Sequence, residues 1–271
     1  MNIAYLPDRA VLEVSGEEAE HFLDNILTCQ VAGLATGEAR FGALLTPQGK
    51  ILFDFFLIKT ESGFWLDTPD HLANDFLKRL MFYRLRAKVN LVKLENVHVT
   101  AHLLPQKPRG NFFIIDPRHA DMGWRVYDEN LQNENKDVYL QHRISLCVPE
   151  GGRDFDYGDA YPHEVLMDQF GGVDFKKGCY VGQEVVSRMQ HRGTTKKRVI
   201  KVSSESPLPE KGTTIIADGK PAGTLGSAFD NEGLALLRLE RVHAADTVEA
   251  DGGTLTATLP DWVNFTWPEP R

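Results

Sequence analysis

The residues best suited to chemistry lie between 171 and 201, in GGVDFKKGCYVGQEVVSRMQHRGTTKKRVIK. Cys179 stands between Lys176-Lys177-Gly178 and Tyr180-Val181-Gly182-Gln183-Glu184, and Val185, Val186 and Met189 continue with the spacing of a helix ending near Gly193. A thiol just ahead of a helix start meets unpaired backbone N–H groups and the positive end of the helix dipole. Two lysine ammonium groups precede it in the chain. That setting favours the thiolate, the form that attacks, exchanges with other thiols or ligates metal; a small buried hydrophobe is the alternative reading. Gly178 and Gly182 bracket the thiol and permit a tight turn or the close approach of a ligand. From 186 to 201, Arg188, Arg192, Lys196, Lys197, Arg198 and Lys201 occur without an acid, which reads either as a solvated face or as an anion-binding patch centred on Lys196, Lys197 and Arg198.

The cysteines are Cys29, Cys147 and Cys179, with no CxxC and no histidine at metal-ligand spacing. Neither a disulfide framework nor a stable metal or cluster site built from this chain alone is expected. The 271 residues carry 30 basic and 38 acidic side chains, a net charge of −8, which disfavours blanket binding to nucleic acid or anionic membrane. MNIAYLPDRAVLEVSG lacks a basic stretch followed by an apolar run, and ILFDFFLI (residues 51–58) is short and interrupted by Asp54. The expectations are therefore a cytoplasmic protein with neither leader nor membrane span, and no membrane partner.

The elements that must position these residues are legible in outline. Residues 9–14 read as a strand, and Ser15-Gly16-Glu17-Glu18 has capping-box spacing ahead of the apolar stripe Ala19, Phe22, Leu23, Ile26, Leu27. Residues 41–45 and 51–58 form a hairpin across Thr46-Pro47-Gln48-Gly49-Lys50, and 64–67 add a strand. Thr68-Pro69-Asp70 opens a helix carrying Leu72, Phe76, Leu80 and Tyr83. Strands at 88–94, 97–103, 112–115 and 124–127 and a helix at 137–146 follow. From Arg198 onward, short apolar runs at 199–202, 214–217, 234–239 and 254–259 alternate with turns, as in a small β-barrel or sandwich. The irregular alternation indicates an α+β fold with antiparallel sheets.

Lys177-Gly178-Cys179-Tyr180-Val181-Gly182-Gln183-Glu184 resembles the KGCYxGQE signature of the YgfZ family, which is related to the glycine-cleavage T-protein. The resemblance extends through LLTPQGKILFDFF (44–56), DPR and GWR (116–118 and 123–125), RISLCVPEGG (143–152) and PHEVLMD (162–168), and includes Arg188 beside the signature. It implies a T-protein-like fold, the folate-binding fold of aminomethyltransferases. In that fold two intertwined ferredoxin-like α+β modules occupy residues 1–194, dividing near 85–105, and a C-terminal β-barrel occupies 195–271. It also implies a tetrahydrofolate-binding accessory factor for iron–sulfur cluster assembly or repair, with iron–sulfur client or assembly proteins as partners, and through them support of enzymes that thiomethylate tRNA. Mitochondrial relatives act in late 4Fe–4S assembly.

T-protein proper carries two adjacent aspartates in the hairpin, whereas this chain has Phe53-Asp54. The departure argues against the aminomethyltransferase reaction, and a one-carbon transferase using Asp54 stands as the alternative function; tRNA binding through Lys196, Lys197 and Arg198 is a second. For the folate, tetrahydrofolate or a related reduced form, the candidate contacts are Asp54 and Glu164 on the pterin edge and Arg125 and Arg143 on the carboxylate tail; ion pairs are the other reading of the arginines. Cys179 is expected to act transiently, by ligating a cluster in transfer, exchanging with a partner thiol, or sensing oxidation.

Overall fold

The computed structural model describes residues 2–108, 112–128, 136–193 and 195–268. Its chain divides into two units, Met1–Tyr139 with Phe170–Glu184, and Leu140–Gln169 with Val185–Arg271.

In the first unit, period-two apolar patterning builds two antiparallel sheets from β1 (Ile3–Tyr5), β2 (Arg9–Ser15), β3 (Ala39–Leu45), β4 (Ile51–Lys59), β5 (Gly63–Pro69), β6 (Asn90–Leu94), β7 (His98–His102), β8 (Phe112–Ile115) and β9 (Trp124–Asp128). The larger sheet has the order β3-β4-β5-β2-β6 and the smaller β1-β7-β9-β8. Two helices, α1 (Ala19–Asp24) and α2 (Asp70–Arg84), bury Phe22, Leu23, Phe76 and Leu80 in a core shared with Leu12, Leu44, Phe55 and Phe64. Phe76 stacks on Phe53 at 4.7 Å and on Phe55 at 5.4 Å. The site of the missing aspartate is thus occupied by a core aromatic.

The two sheets of this unit share a buried charge network. Asp67 on β5 accepts from Arg9 Nε at 2.6 Å, from Arg125 Nη1 at 2.9 Å and from the Tyr127 hydroxyl at 2.9 Å. Asp116 accepts from Arg118 at 3.0 and 2.7 Å, and the Tyr139 hydroxyl accepts from both Arg118 and Arg125 at 2.9 Å. Arg125 also lies 4.0 Å from the centre of the Phe56 ring.

The expected hairpin forms, with Ala43 opposite Asp54. Two helix starts differ from the expected capping. Glu18 caps no helical N–H with its side chain and instead accepts the Lys88 N–H at 2.6 Å. Pro69, rather than Thr68, is the residue before α2, because the Thr68 hydroxyl donates to the Asp54 carbonyl at 3.1 Å. In both cases a bond from a distant element captures the capping group.

The chain passes between units within α3 (Lys136–Ser145), after Gln169, and within α4 (Gln183–Arg192). The second unit contains the barrel, formed by β10 (Lys197–Ser203), β11 (Thr214–Ala217), β12 (Lys220–Phe229), β13 (Glu232–Arg238), β14 (Val248–Ala250), β15 (Gly253–Thr254) and β16 (Thr256–Thr258), with α5 (Leu239–His243) after β13. Its order is β15-β14-β11-β12-β13-β10-β16, around Val202, Ile215, Leu225, Leu237 and Leu255. The apolar run 254–259 divides at Leu255, which enters the core between β15 and β16. β12, broken in sequence by Pro221, Gly223 and Gly226, escapes the apolar pattern. A Cβ at Gly226 would stand 2.6 Å from Asp154 Oδ1, so the glycine admits a close backbone approach. Asp154 accepts the Ser227 N–H at 2.7 Å and Arg143 Nη1 at 2.6 Å, and Arg143 donates to the Ser227 hydroxyl.

Candidate functional site

Lys177 organises the signature loop, and it does so by facing inward. Its ammonium donates to the Asp24 carbonyl at 2.7 Å, Asp24 Oδ1 at 3.1 Å, the Leu27 carbonyl at 3.0 Å and the Cys29 carbonyl at 2.9 Å. Its side chain is 4% exposed, so the charge expected beside the thiol is spent on the carbonyl end of α1 instead. Burial on its own would raise the Asp24 carboxyl; the Val31 N–H and Lys177 outweigh it and hold the group below its usual range.

Three further contacts fix the loop. Asp174 Oδ1 accepts the N–H groups of Lys176 and Lys177 at 2.7 and 3.1 Å. The Thr28 hydroxyl donates to the Gly172 carbonyl at 2.7 Å and accepts the Ala43 N–H at 2.8 Å, tying the segment to β3. Gly182, at φ +81°, packs against the β3–β4 turn, where a Cβ would meet the Thr46 carbonyl oxygen at 2.4 Å. Tyr180 is buried with its ring 5.8 Å from the Lys177 ammonium, and its hydroxyl is pushed well up by burial and then by Asp174. Among the described residues that hydroxyl has no hydrogen-bond partner.

Cys179 projects from this anchored loop and is exposed, while Cys29 and Cys147 are buried. Burial pushes the Cys29 thiol up to about 12 and the Cys147 thiol above its usual range, so both stay protonated and inert. α4 begins four residues beyond Cys179, with the Gln183 amide donating to the Gly178 carbonyl at 3.3 Å. Glu184 and Arg188 are exposed on that helix. The arrangement presents one sulfur to solvent on a loop held by Lys177, Asp174 and Thr28, able to attack, exchange or ligate. Among the described residues no cluster of His, Cys, Asp or Glu could hold a metal ion.

The other expected residues lie in separate places. Asp54 is buried on β4 and Arg125 belongs to the charge network of the first unit, its guanidinium occupied by Asp67 and Tyr139. Arg143 is fully buried in the second unit against Asp154. Glu164, half-buried, accepts the Tyr161 N–H at 3.0 Å. Arg198 does not share the exposure of Lys196: it forms a two-pronged ion pair with Asp168 at 2.9 Å, donates to the His163 carbonyl at 2.8 Å and lies 4.1 Å from the Phe265 ring centre. The basic run therefore contributes fewer free cations than its composition promises.

Sequence reasoning missed Asp24 and Thr28, which hold the loop from about 150 residues away; no local pattern announces such partners. It also missed a cavity of about 350 Å³ in the second unit, where His163 meets Gln190 at 3.0 Å beside the Arg198–Asp168 pair. Burial depresses His163, only partly opposed by Asp168.

Residues 196–265 match the family model of the CAF17 C-terminal β-barrel domain. Over 97% of its length the chain is 33% identical to the mitochondrial iron–sulfur cluster assembly factor IBA57 of Homo sapiens, covering 84% of that protein. It is 27% identical to the IBA57 homologue of Mycosarcoma maydis over 98% of the chain and 85% of the relative. The glycine cleavage system aminomethyltransferase T of Bartonella henselae superimposes with a TM-score of 0.78 at 15% identity, over 96% of this chain and 86% of that one, which establishes the T-protein-like fold. The expected cytoplasmic location is overturned: these IBA57 relatives are mitochondrial, and features of the residues near Met1 do not outweigh that finding. With 33% identity across 97% of this chain and 84% of the human relative, and the T-protein-like fold beneath it, this chain belongs to the family of IBA57 iron–sulfur cluster assembly factors.

Proposed function

We propose that this protein assists iron–sulfur cluster assembly by presenting Cys179 as a transient ligand to a cluster carried by a partner protein. The carrying observation is the contrast among the three cysteines: one exposed sulfur on a pinned loop, two buried and protonated. The step is a ligand exchange without electron transfer. Cys179 gives up its proton, its sulfur bonds to iron, and a donor thiolate leaves that iron and takes up a proton. The partner supplies the remaining ligands, since a cluster generally takes four protein ligands.

Tetrahydrofolate binding belongs to the same proposal and rests on the fold. Asp54 in the first unit and Glu164 in the second each have the acceptor chemistry for a pterin edge and stand as alternative contacts. Arg125 and Arg143 do not suit the tail, because each guanidinium is already held by a buried carboxylate. Support of tRNA-modifying iron–sulfur enzymes would follow from cluster supply, with no need for Lys196, Lys197 and Arg198 to touch tRNA.

Two measurements test the proposal. Iodoacetamide should label Cys179 readily in the free protein and much more slowly once a cluster-loaded carrier is added; labelling that ignores the carrier would sink the ligand role. Calorimetric titration with tetrahydrofolate should give binding that weakens in one of the two variants Asp54→Ala and Glu164→Ala. Turnover of a one-carbon donor that disappears in Asp54→Ala would make the protein a transferase instead.

A further inference from the structure

We infer that the tip of α2 and the turn after it dock this protein on an anionic phospholipid surface. Met81 is 45% exposed, Phe82 70% and Leu85 86%, and the last two are the most exposed large apolar side chains among the described residues of the first unit. The opposite side of α2 is held by Ala73, Phe76 and Leu80 in the core, so the helix is anchored behind its exposed tip. Leu85 ends the helix at φ +49°, a conformation that a side chain rarely adopts and that glycine usually supplies. The chain tolerates that strain and still presents a leucine to solvent.

The charges around the tip are one-sided. From Phe76 to Leu94 there is no acid, while Lys78, Arg79, Arg84, Arg86, Lys88 and Lys93 all occur, in a chain whose net charge is −8. The three lysines are paired, with Asp75, Glu17 and Asp70. Arg79, Arg84 and Arg86 are exposed and have no ion-pair partner among the described residues. Guanidinium is weakly hydrated and matches phosphate oxygens two at a time, whereas phenyl and leucyl groups enter the boundary between headgroup and acyl chain.

Two other occupants suit the patch less well. A groove-bound helix needs apolar anchors over several turns, but the exposed positions preceding the tip are Asp70, His71, Asn74, Asp75, Lys78 and Arg79, all polar. A second copy meeting the patch through a twofold axis would set arginine against arginine. No described helix is long and apolar enough to cross a membrane, which leaves surface contact open.

Co-sedimentation of the full chain with phosphatidylcholine vesicles, with and without phosphatidylglycerol, tests the inference. Binding is expected only with the anionic lipid. Arg84→Gln with Arg86→Gln should weaken it about thirtyfold, from roughly one surface-attracted cation lost at each position. Phe82→Ser with Leu85→Ser should weaken it at least as much at high salt, where the charge contribution is screened; circular dichroism confirms that both variants fold. The inference is overturned if anionic vesicles fail to bind the protein, if neutral vesicles bind equally, or if the apolar variant binds as the wild type does. Loss of activity with a client protein in the apolar variant, without vesicle binding, would assign the tip to a protein partner and overturn it too.

Discussion

The charge network between the two sheets of the first unit and the signature loop both bury cations, and they use them in opposite ways. In the network Arg125 and Arg118 face Asp67, Asp116 and Tyr139, these five are buried, and the charges satisfy one another. In the loop a single buried cation, Lys177, binds four oxygens around the end of α1, and the residue two places on is an exposed thiol. A closed network can only hold structure. An anchored loop with one open reactive atom can hold structure and leave chemistry for a partner.

The sharpest way to break this contrast is at Arg125. Arg125→Ala leaves Asp67 and Asp116 short of a partner in a buried site and should cost about 3–5 kcal/mol of stability, read from the denaturant midpoint. A loss well under this would mean that water or Arg9 repairs the gap and that the network is not closed. Lys177→Met should cost less, roughly 1–3 kcal/mol, because the one carboxylate it orphans, Asp24, is about a third exposed and keeps the Val31 N–H. It should nonetheless abolish support of cluster assembly as fully as removal of the thiol, since the loop loses its anchor. If stability falls and activity survives, the loop is structural only.

Acid unfolding tests the network alone. Burial by itself would raise the Asp116 carboxyl from its ordinary 3.8, but Arg118 and then Arg125 more than offset this and hold it at about 2. A carboxyl depressed in the folded state stabilises fully above its ordinary value, and that contribution is lost as the pH falls from about 4 towards 2. The amount is roughly 2 kcal/mol, so Asp116→Asn should flatten the acid limb of the stability curve across that window. An unchanged acid limb would place the sensitivity elsewhere.

How far the sequence foretold this architecture depends on the range of the forces involved. The β3–β4 hairpin, α2 and, β1 apart, the strands of both sheets follow local period and turn chemistry, and they appear where the pattern put them. β12 does not, because its glycines answer to Asp154 and Leu236 rather than to their neighbours in the chain. The site divides similarly. Cys179, Gly182 and the start of α4 were visible in the signature, yet the direction of Lys177 was not: its partners begin with Asp24, far back in the chain. Arg198 shows the same limit, reading as a patch cation in sequence and paired with Asp168 in the fold. Long-range pairing of charges is what composition cannot display.

The smallest structural effect carries the central claim. Cys179→Ser changes one exposed atom and should shift stability by no more than about 0.5 kcal/mol. The decisive measurement is activation of a 4Fe–4S apo-enzyme by a cluster-loaded carrier in the presence of wild-type protein or Cys179→Ser, each first shown to unfold at the same denaturant concentration. The account predicts that the variant folds normally and gives no activation above the carrier alone; activation equal to wild type would contradict it.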